Sequence, residues 1–461
     1  MSSRTRIGAT IVVLVVLVVA GIVTDASSPA VQAAVATGPR VDAAGEGTTW
    51  YCAEGTANPG GRADEEISIG NVDRVQLRAV VTVDGGSEVP PVARPYTVEP
   101  GRVVHVHVAD LAPIADPGVV VETQGGRAVV EHTLARAGDT AMGPCAREPS
   151  TEARFAAGTT SKGSELWLAL FNPFPDDAIV DVEAVTDAGR RAPVRLQGIV
   201  VPRLTRVSVP IHEDIQRVDT VATQVSVRRG RVIAEQSQFL DGSDQRRGLG
   251  LSLGSELATS WRFPIGVSGS GRQDRIVLAN PSGRDAQVTV SFALDAAAAV
   301  EPVRLVLPAT SVVSPDLSRV PGDIPYSTRV RSSVPIVAES VGAFGAPQAA
   351  DVRGIAIDPG FVSGARVWAV VPSRLGTQSV DSLALVATDG RRHRARVVLR
   401  GPDGDQVLAT AAVPATGRVV IEMPKVTRRP NLALLVLADG PVVVGRESVR
   451  PGLTRSHAVP G

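Results

Sequence analysis

Aromatic residues, lysine and cysteine are all scarce in this sequence. Aromatic residues make up 3% of the 461 residues, so the hydrophobic cores must be built from Val, Leu, Ile and Ala. Lys162 and Lys425 are the only lysines, and the 47 basic residues are balanced by 47 acidic residues. Because neither sign of charge is in excess, the composition does not indicate nucleic-acid binding. We therefore expect no nucleic-acid partner.

The motifs of common active sites are also missing. There is no P-loop, dinucleotide-binding fingerprint, zinc signature or EF-hand loop. The string Gly250–Gly254 matches G-x-S-x-G around Ser252, but that motif acts at a turn between a strand and a helix, which an all-β chain does not offer. His105 and His107 share one face of a predicted strand, with His132 as a distant third ligand, so a metal site is a minor alternative. We predict no catalytic residues, no cofactor and no enzymatic activity.

One long apolar run lies at the N-terminus. Residues 1–6 carry two arginines, and residues 7–24 are uncharged and almost continuously apolar. This length is short for a membrane-spanning helix but long for the apolar part of a cleaved signal. We favour an uncleaved single-pass anchor in the cell membrane, with residues 1–6 as a cytoplasmic tail, residues 25–45 as a tether and the rest exported. The alternative is a signal cleaved after Ala36, which would release a secreted protein.

Cys52 and Cys145 are the only cysteines. In an exported chain, two cysteines that bracket one repeat favour a disulfide bond. The alternative, a reactive or metal-binding pair, lacks a second pair of ligands in the sequence. We predict the Cys52–Cys145 disulfide.

A repeat of slightly more than 100 residues organises the exported region. Glutamates near the end of each last predicted strand are spaced by 104, 104 and 108 residues: Glu131, Glu235, Glu339 and Glu447. An aromatic residue opens each repeat: Trp50, Phe155, Trp261 and Trp368. An asparagine ends an early strand in three of them: Asn71, Asn172 and Asn280. The predicted repeats cover residues 46–148, 149–255, 256–360 and 361–461, too long for blades of a β-propeller.

Alternation of apolar and polar residues dominates each repeat. In one segment, Val207, Val209 and Ile211 share one face of a strand, while Ser208 and Pro210 share the other. About seven short strands with frequent Gly, Asn and Pro turns are typical of an immunoglobulin-like β-sandwich. We predict an all-β fold of four tandem sandwiches of this kind after a single N-terminal transmembrane helix. Four sandwiches in a row suggest a rod or a bent string.

The recurring residues are interpreted as structural. Each glutamate is expected to act within its own repeat, for example by pairing with an arginine such as Arg102, Arg206 or Arg418, rather than in a row of binding residues. The aromatic residues are expected to fill cores rather than to stack on sugars. Each asparagine is expected to end a strand, because asparagine favours turns.

The segment WYCAEGT at residues 50–56, the strand ending at Asn71, and the later segments VEPGR and VVEHT together resemble a repeat of exported actinobacterial proteins, the uncharacterised DUF5719-like group. The resemblance covers nearly the whole exported region. The fourth repeat diverges most, with Ala387-Thr388 where Asn-Pro is usual. The resemblance implies an envelope location and β-sandwich repeats, and it supplies no catalytic residues.

The sequence therefore predicts a non-enzymatic structural or interaction protein of the cell envelope, held to the membrane by its N-terminal helix. Loops such as EGTANPGGRADE at 54–65 and SGSGRQD at 268–274 are expected to contact an envelope protein or glycan. One alternative is a carbohydrate- or cell-wall-binding accessory protein. Another is an envelope hydrolase, which would need clustered carboxylates or a Ser/His pair.

Overall fold

A computed structural model describes residues 47–86, 89–243, 246–269, 271–296, 299–344, 354–372, 380–449 and 453–460. These residues are all-β, and their helices are single turns: Val108–Asp110, Val194–Leu196, Ile211–Asp214 and Met423–Val426. Within this part of the chain no helix is long and apolar enough to cross a membrane. The predicted tail, anchor and tether at 1–6, 7–24 and 25–45 lie outside the described residues.

The strands fall into four groups, which we call units 1 to 4. Unit 1 contains β1 to β8: Thr48–Cys52, Asp64–Asn71, Leu77–Asp84, Val92–Val98, Val103–His107, Gly118–Gln124, Ala128–Arg136 and Asp139–Pro144. Unit 2 contains β9 to β17: Glu152–Phe155, Ser164–Asn172, Ala178–Thr186, Gly189–Arg191, Ile199–Val201, Thr205–Pro210, Ala222–Arg229, Ile233–Asp241 and Arg247–Leu253.

The other two units follow the same sequence of strands. Unit 3 contains β18 to β24: Ala258–Gly266, Arg272–Asn280, Ala286–Leu294, Val303–Leu307, Ser311–Val313, Tyr326–Phe344 and Ile355–Asp358. Unit 4 contains β25 to β32: Ala365–Val370, Val380–Ala387, His393–Gly401, Gly404–Val413, Val419–Glu422, Leu434–Val449, Leu453–His457 and Val459–Pro460.

Each unit contains two antiparallel sheets with corresponding strand orders. Sheet A has the order β1-β6-β3-β4, and its counterparts are β9-β15-β11-β12, β18-β23-β20-β21 and β25-β30-β27-β28. Sheet B has the order β5-β2-β7-β8, and its counterparts are β14-β10-β16-β17, β22-β19-β23-β24 and β29-β26-β30-β31. In units 3 and 4 one long strand, β23 or β30, takes part in both sheets.

The alternating pattern of the sequence explains why these strands form two-sided sheets. In β3, Leu77, Ala79, Val81 and Val83 are fully buried or nearly so, while the residues between them are more exposed. Because side chains alternate across a strand, this pattern places one apolar row against the facing sheet. This row of aliphatic side chains is part of the core of unit 1.

The last strand of sheet B in each unit lies at the centre of the molecule. These axial strands, β8, β17, β24 and β31, contact one another in a closed circuit: β8 with β17, β17 with β24, β24 with β31, and β31 with β8. Apolar clusters also join neighbouring units, and one of them places Ala369 and Val371 of unit 4 in the core of unit 1. The four units therefore form a ring, and the predicted rod or bent string is wrong.

Glycine permits the close approach of the axial strands. A Cβ atom at Gly248 of β17 would lie 2.5 Å from the backbone nitrogen of Ile355 in β24. A Cβ atom at Gly250 would lie 3.0 Å from the Ile357 side chain. Gly248 also has φ of +151°, which only glycine adopts without strain. The glycine-rich sequence of β17 is thus required by packing against unit 3.

Replacing Gly248 with alanine should lower the free energy of unfolding by about 2–3 kcal/mol, because the new methyl group meets backbone that cannot rotate away. Gly404 provides a matched control, since its φ is +132° and a Cβ atom added there would have no neighbour within 4 Å. Gly404→Ala should cost only about 1 kcal/mol, the conformational part alone. Urea unfolding of the two variants measures the difference, and equal costs would contradict tight packing at the axis.

Candidate functional site

The four recurring glutamates lie at the junctions between units. Glu235 of unit 2 reaches unit 1, where its Oε2 accepts the backbone N–H of Ala53 at 3.1 Å and of Glu54 at 2.7 Å. Glu339 of unit 3 reaches unit 2, where its Oε2 accepts the N–H of Ala157 at 2.5 Å. Each of these two glutamates therefore satisfies backbone donors of the preceding unit, just beyond its first strand.

The other two glutamates bind arginines across the same kind of junction. Glu131 of unit 1 accepts a hydrogen bond from Arg446 Nη2 of unit 4 at 2.8 Å. It also accepts a hydrogen bond from the backbone N–H of Val371. Glu447 of unit 4 accepts two hydrogen bonds from Arg272 of unit 3, one from Nη1 at 3.1 Å and one from Nη2 at 2.5 Å. The expectation that each glutamate acts within its own repeat is wrong for Glu131, Glu235 and Glu339, whose partners lie in a neighbouring unit. Glu447 binds both Arg272 of unit 3 and Arg455 of its own unit.

The predicted arginine partners have other contacts. Arg206 is fully buried and binds Asp116 at 2.9 Å in unit 1 rather than Glu235. Arg418 binds Asp295 of unit 3 at 2.9 Å. Arg102 lies at the junction with unit 4, where its backbone bridges to Leu432.

The junction of units 1 and 2 holds a buried cluster of ionisable groups. His132 Nδ1 lies 3.0 Å from Glu65 Oε1, and Nε2 lies 3.5 Å from Glu235 Oε2. Burial disfavours charge on His132, but Glu235 and Glu65 outweigh it and raise the pKa of His132 to about 9. Burial also raises the pKa of Glu235 to about 7, against the opposing effect of His132. His132 is thus the counter-ion of Glu235.

A second buried network joins units 3 and 4. Arg455 donates from Nη2 to Asp274 at 2.8 Å and from Nε to Glu447 at 2.9 Å. Arg272 Nε lies 3.4 Å from Asp274. Burial would raise the pKa of Glu447, but Arg272 and Arg455 hold it at about 2. Two cations and two anions balance in this network, which is the arrangement of a structural ion-pair cluster. The segment SGSGRQD, predicted to contact a partner, thus buries its charged end in the ring.

The cysteines form the disulfide Cys52–Cys145, with both residues fully buried. A ring nitrogen of His132 and the two sulfur atoms all lie within 4.8 Å of one another. Because the sulfur atoms are bonded to each other, they do not offer the thiolate ligands that a metal site of this type needs. The disulfide ties β1 to the end of sheet B, beside the junction with unit 2.

Removing the disulfide should lower the free energy of unfolding by about 4 kcal/mol, since it closes a loop of 93 residues in the unfolded chain. We expect urea unfolding of the wild type to shift to lower midpoint under a reducing agent. A Cys52→Ala, Cys145→Ala variant is the control, and its midpoint should not respond to the reductant. A wild-type urea midpoint that does not change after complete reduction of the disulfide would contradict the prediction.

The four aromatic residues that open the repeats are all buried, with relative exposures of at most 2%: Trp50, Phe155, Trp261 and Trp368. The indole N–H of Trp261 donates to the carbonyl of Ile336 at 3.2 Å, and that of Trp368 donates to Val442 at 2.9 Å. None of the four side chains is available for stacking on a sugar. They fill the sandwich cores.

The three recurring asparagines make one set of hydrogen bonds. Asn71 Nδ2 donates to the carbonyls of Val75 at 2.8 Å and Val98 at 2.9 Å, and Oδ1 accepts the N–H of Asp73. The corresponding amide donors of Asn172 and Asn280 bind the next turn and the end of a sheet A strand in the same way. Each asparagine thus closes the turn after its strand and fastens that turn to the facing sheet.

The sequence offered Ser252 as a candidate nucleophile and His105 and His107 as candidate metal ligands, and all three make structural contacts. Ser252 of the G-x-S-x-G string is buried and donates to Glu339 Oε1 at 2.6 Å. His105 forms a hydrogen bond with Ser68 at 3.0 Å and another with Asn431 of unit 4 at 3.2 Å. His107 faces Asp110 at 3.5 Å. Neither histidine shares a ligand cluster with His132 among the described residues.

The remaining candidate is a groove formed by two adjoining cavities, which we call the loop groove. The first cavity, about 390 Å³, lies between units 1 and 2 and is lined by residues 136, 137, 139, 163–165, 239–241 and 247–249. The second, about 460 Å³, is formed within unit 1 by residues 57–62, 64, 109, 113 and 135–137. Arg136 and Ala137 line both, and the predicted contact loop at 54–65 forms one wall.

The loop groove is lined by charged groups of both signs. Arg136 lies over the Phe239 ring at 4.7 Å and 3.3 Å from Glu165. Arg62 lies over Trp167 at 4.3 Å and 3.0 Å from Asp116. Contact with aromatic rings fixes the guanidinium planes while leaving Arg136 partly exposed. The groove offers ordered donors and acceptors, with three arginines against four carboxylates among its lining residues.

Periodicity in the sequence did not reveal His132 and Glu65 at the junction of units 1 and 2, or Asp274 and Arg455 at the junction of units 3 and 4. His132 lies in a different unit from Glu235, and Asp274 lies in a different unit from Arg455. Arg455 is only eight residues from Glu447, but it has no counterpart at a recurring position that would mark the pairing. The alternating glycines of β17 were a usable signal of close packing, which the match to G-x-S-x-G obscured.

Comparison with known proteins gives one family and no activity. The family model of DUF5719, a family of unknown function, matches residues 118–424. No curated protein matches the chain.

Solved structures give only weak similarity. The protein titled "Crystal Structure of Thermotoga maritima 1070" is 16% identical over 23% of this chain and 96% of its own, with a TM-score of 0.21. The Anabaena sensory rhodopsin transducer is 23% identical over 19% of this chain and 84% of its own, with a TM-score of 0.17. These TM-scores support no argument about function.

Proposed function

The chain belongs to the DUF5719 family of unknown function, and we propose that it is a non-enzymatic structural or interaction protein of the cell envelope. Its four units form a ring, and the loop groove is the surface that contacts a partner. The observation that carries this proposal is the loop groove itself, where the loop at residues 57–62 walls the second cavity and the ends of strands from units 1 and 2 line the first. Loops on a rigid scaffold are the usual location of binding residues.

The use of the ionisable groups supports a non-enzymatic role. The buried glutamates, His132 and Arg455 are engaged in junctions between units, as is Ser252 through its bond to Glu339. Groups held in such ion pairs and hydrogen bonds stabilise the ring and are not free to take part in a reaction. An envelope hydrolase would need a nucleophile and a base together at an accessible site.

The units are best interpreted as four tandem immunoglobulin-like sandwiches. In unit 1, β2 pairs with β5 in one sheet and β3 pairs with β6 in the other. The immunoglobulin fold also pairs strand B with E and strand C with F. The neighbours of these pairs differ, because β1 pairs with β6 and β7 pairs with β2, which leaves β5 at an edge of its sheet. We therefore assign an immunoglobulin-like sandwich that keeps these two strand pairs and exchanges the strands beside them.

The location outside the cytoplasm rests on the N-terminal sequence and the cysteines. Residues 7–24 are uncharged and apolar after two arginines, which favours a membrane anchor with the ring on the far side. A buried disulfide is typical of an exported protein. The ring would then be displayed on a tether of residues 25–45.

Photo-crosslinking in the native envelope tests the groove. A benzoylphenylalanine at Asn58, in the second cavity, should capture one specific protein or glycan. The same residue placed at Val75 is the control, because Val75 is 49% exposed and follows the opposite end of β2. Charge reversal of Arg136, which lines both cavities, should abolish capture, whereas Arg74→Glu should not. Equal capture from Asn58 and Val75 would overturn the proposal.

The identity of the captured partner separates the two binding roles. The carbohydrate- or cell-wall-binding alternative is favoured by cavities large enough for a small glycan segment and by the mixture of hydrogen-bond donors and acceptors that lines them. Capture of a glycan that Arg136→Glu abolishes would support it, and capture of a protein would support the interaction role. Hydrolysis of envelope glycans by the purified chain would contradict both.

A further inference from the structure

Sheet A of each unit ends in an edge strand. These edge strands are β4 in unit 1, β12 and β13 in unit 2, β21 in unit 3 and β28 in unit 4. Among the described residues, no further strand pairs with their outer sides. An edge strand presents a row of backbone N–H and C=O groups that another strand can join.

In units 1 to 3 these edges carry features that discourage pairing. The edge strand β4 contains Arg94 and Pro95, and proline lacks the N–H that pairing needs. The strands β12 and β13 are three residues each, and β12 ends in Arg190 and Arg191. The strand β21 has five residues with Arg304 among them. Short length, charge and proline are the usual means of blocking an edge.

The edge of unit 4 is long, lacks proline and carries a charge only near its start. The strand β28 has 10 residues, and from Val407 to Val413 it contains no charged residue and no proline. Val407 is 47% exposed, and Thr410 and Ala412 are also exposed. Its one charged residue, Asp405, lies at the start of the strand and is bound by Arg74 at 3.1 Å. A long, uncharged edge of this kind is a site for another strand.

A bulge limits the length of the available edge. The pairing of β27 with β28 shifts register between Val397 and Val398, which places an extra residue, Leu408, in β28. A bulge twists a strand locally and interrupts regular pairing. Beyond it, Ala409–Val413 pairs regularly with His393–Val397. These five residues are the segment offered to a partner.

We propose that β28 pairs antiparallel with β28 of a second copy of this chain. Antiparallel pairing of identical strands is two-fold symmetric, so one patch serves both copies. The segment Ala409–Val413 places only Ala, Thr and Val opposite one another, with no like charges facing each other. The result is a continuous sheet in which β25-β30-β27-β28 of one copy continues into that of the other.

The side chains of the edge favour a second copy over a foreign peptide. Peptides that add a strand to a sheet are selected by pockets for alternate side chains. The exposed residues here, Thr410 and Ala412, are too small to form such pockets. Symmetric self-pairing needs no pocket, because the two identical strands define their own register. This interface lies in unit 4 and is separate from the loop groove.

Crosslinking in native membranes tests the pairing. Both native cysteines are in the disulfide, so Thr410→Cys introduces a single free thiol. A bis-maleimide should convert most of this variant into a covalent dimer. Thr97→Cys is the matched control, because Thr97 is also an exposed threonine and lies on the blocked edge β4. Equal dimer yields from the two variants would overturn the proposal.

Light scattering of the full chain in detergent provides the second measurement. We expect a dimer for the wild type and for Thr97→Lys, and a monomer for Thr410→Lys, with unchanged circular dichroism in all three. A wild type that stays monomeric at every concentration would overturn the proposal. If the Thr410→Cys variant is a monomer whose introduced thiol resists maleimide, another segment of the same chain covers β28, and this outcome too would overturn it.

Discussion

Replacing Arg455 with methionine is expected to lower the free energy of unfolding by about 3–5 kcal/mol, the usual cost of removing one partner from a buried ion pair. Arg455 is buried between unit 3 and unit 4 and binds both Asp274 and Glu447. Methionine fills a similar volume but leaves the two carboxylates with Arg272 alone. Urea unfolding at neutral pH measures the loss.

The location of this ion pair, and not its chemistry alone, determines the size of the effect. Arg190→Met is the matched control, because the Arg190 side chain is 58% exposed and pairs with Glu183 at the surface of unit 2. We expect this variant to cost less than about 1 kcal/mol. Adding Glu447→Gln to Arg455→Met should recover part of the loss by removing one uncompensated charge. A loss no larger than that of Arg190→Met would contradict the structural role of the cluster.

Replacing Glu339 with glutamine should stabilise the protein at pH 8, by up to about 3 kcal/mol, and should have little effect near pH 4. Glu339 is fully buried, and no basic side chain of the described residues forms an ion pair with it. Burial raises the pKa of Glu339 from 4.5 to about 7, although Ser252 and two backbone N–H groups oppose the shift. Glutamine has the same shape and cannot ionise.

The direction of the pH dependence follows from the raised pKa. In the unfolded chain Glu339 loses its proton near pH 4.5, but in the folded chain it retains the proton to about pH 7. Its contribution to stability is therefore complete below pH 4.5 and is lost as the pH rises towards 7. The Glu339→Gln variant should lack this decline when unfolding is measured across pH 4–8.

Glu447→Gln is the control, because Glu447 occupies the position of Glu339 in unit 4 but its pKa is shifted in the opposite direction. Because the pKa of Glu447 is lowered from 4.5 to about 2, its charged form stabilises the fold above pH 4.5, and this stability is lost as the pH falls towards 2. We expect Glu447→Gln to destabilise the protein by about 3 kcal/mol at pH 8. If both glutamine variants destabilise equally at pH 8, the assigned difference between the two junctions is wrong.

The sequence contained enough information to predict strands and repetition. Alternation in segments such as β3 and the recurrence of Asn71, Asn172 and Asn280 reflect local rules, since a strand and its following turn are encoded within about ten residues. The disulfide was predicted from the presence of only two cysteines and from the expectation that the chain is exported. These features depend on neighbours in sequence or on simple counting.

Closure of the ring could not be predicted from the same information. Glu131 and Arg446 bind each other across 315 residues, and Arg446 has no recurring counterpart that a repeat alignment would reveal. The four glutamates recur because every junction needs an acceptor for donors of the neighbouring unit. Their counter-ions differ at each junction, from two arginines to His132 to none, so each must be found in three dimensions.

The contact between Glu131 and Arg446 also has a consequence for the order of folding. Synthesis delivers unit 1 first, and domains usually fold in the order in which they appear. Glu131 is 2% exposed, and its partners Arg446 and Val371 belong to unit 4, so these contacts cannot form until nearly the whole chain has been synthesised. The first unit to fold is therefore completed by the last, which delays the final step of maturation and makes it dependent on a full-length product.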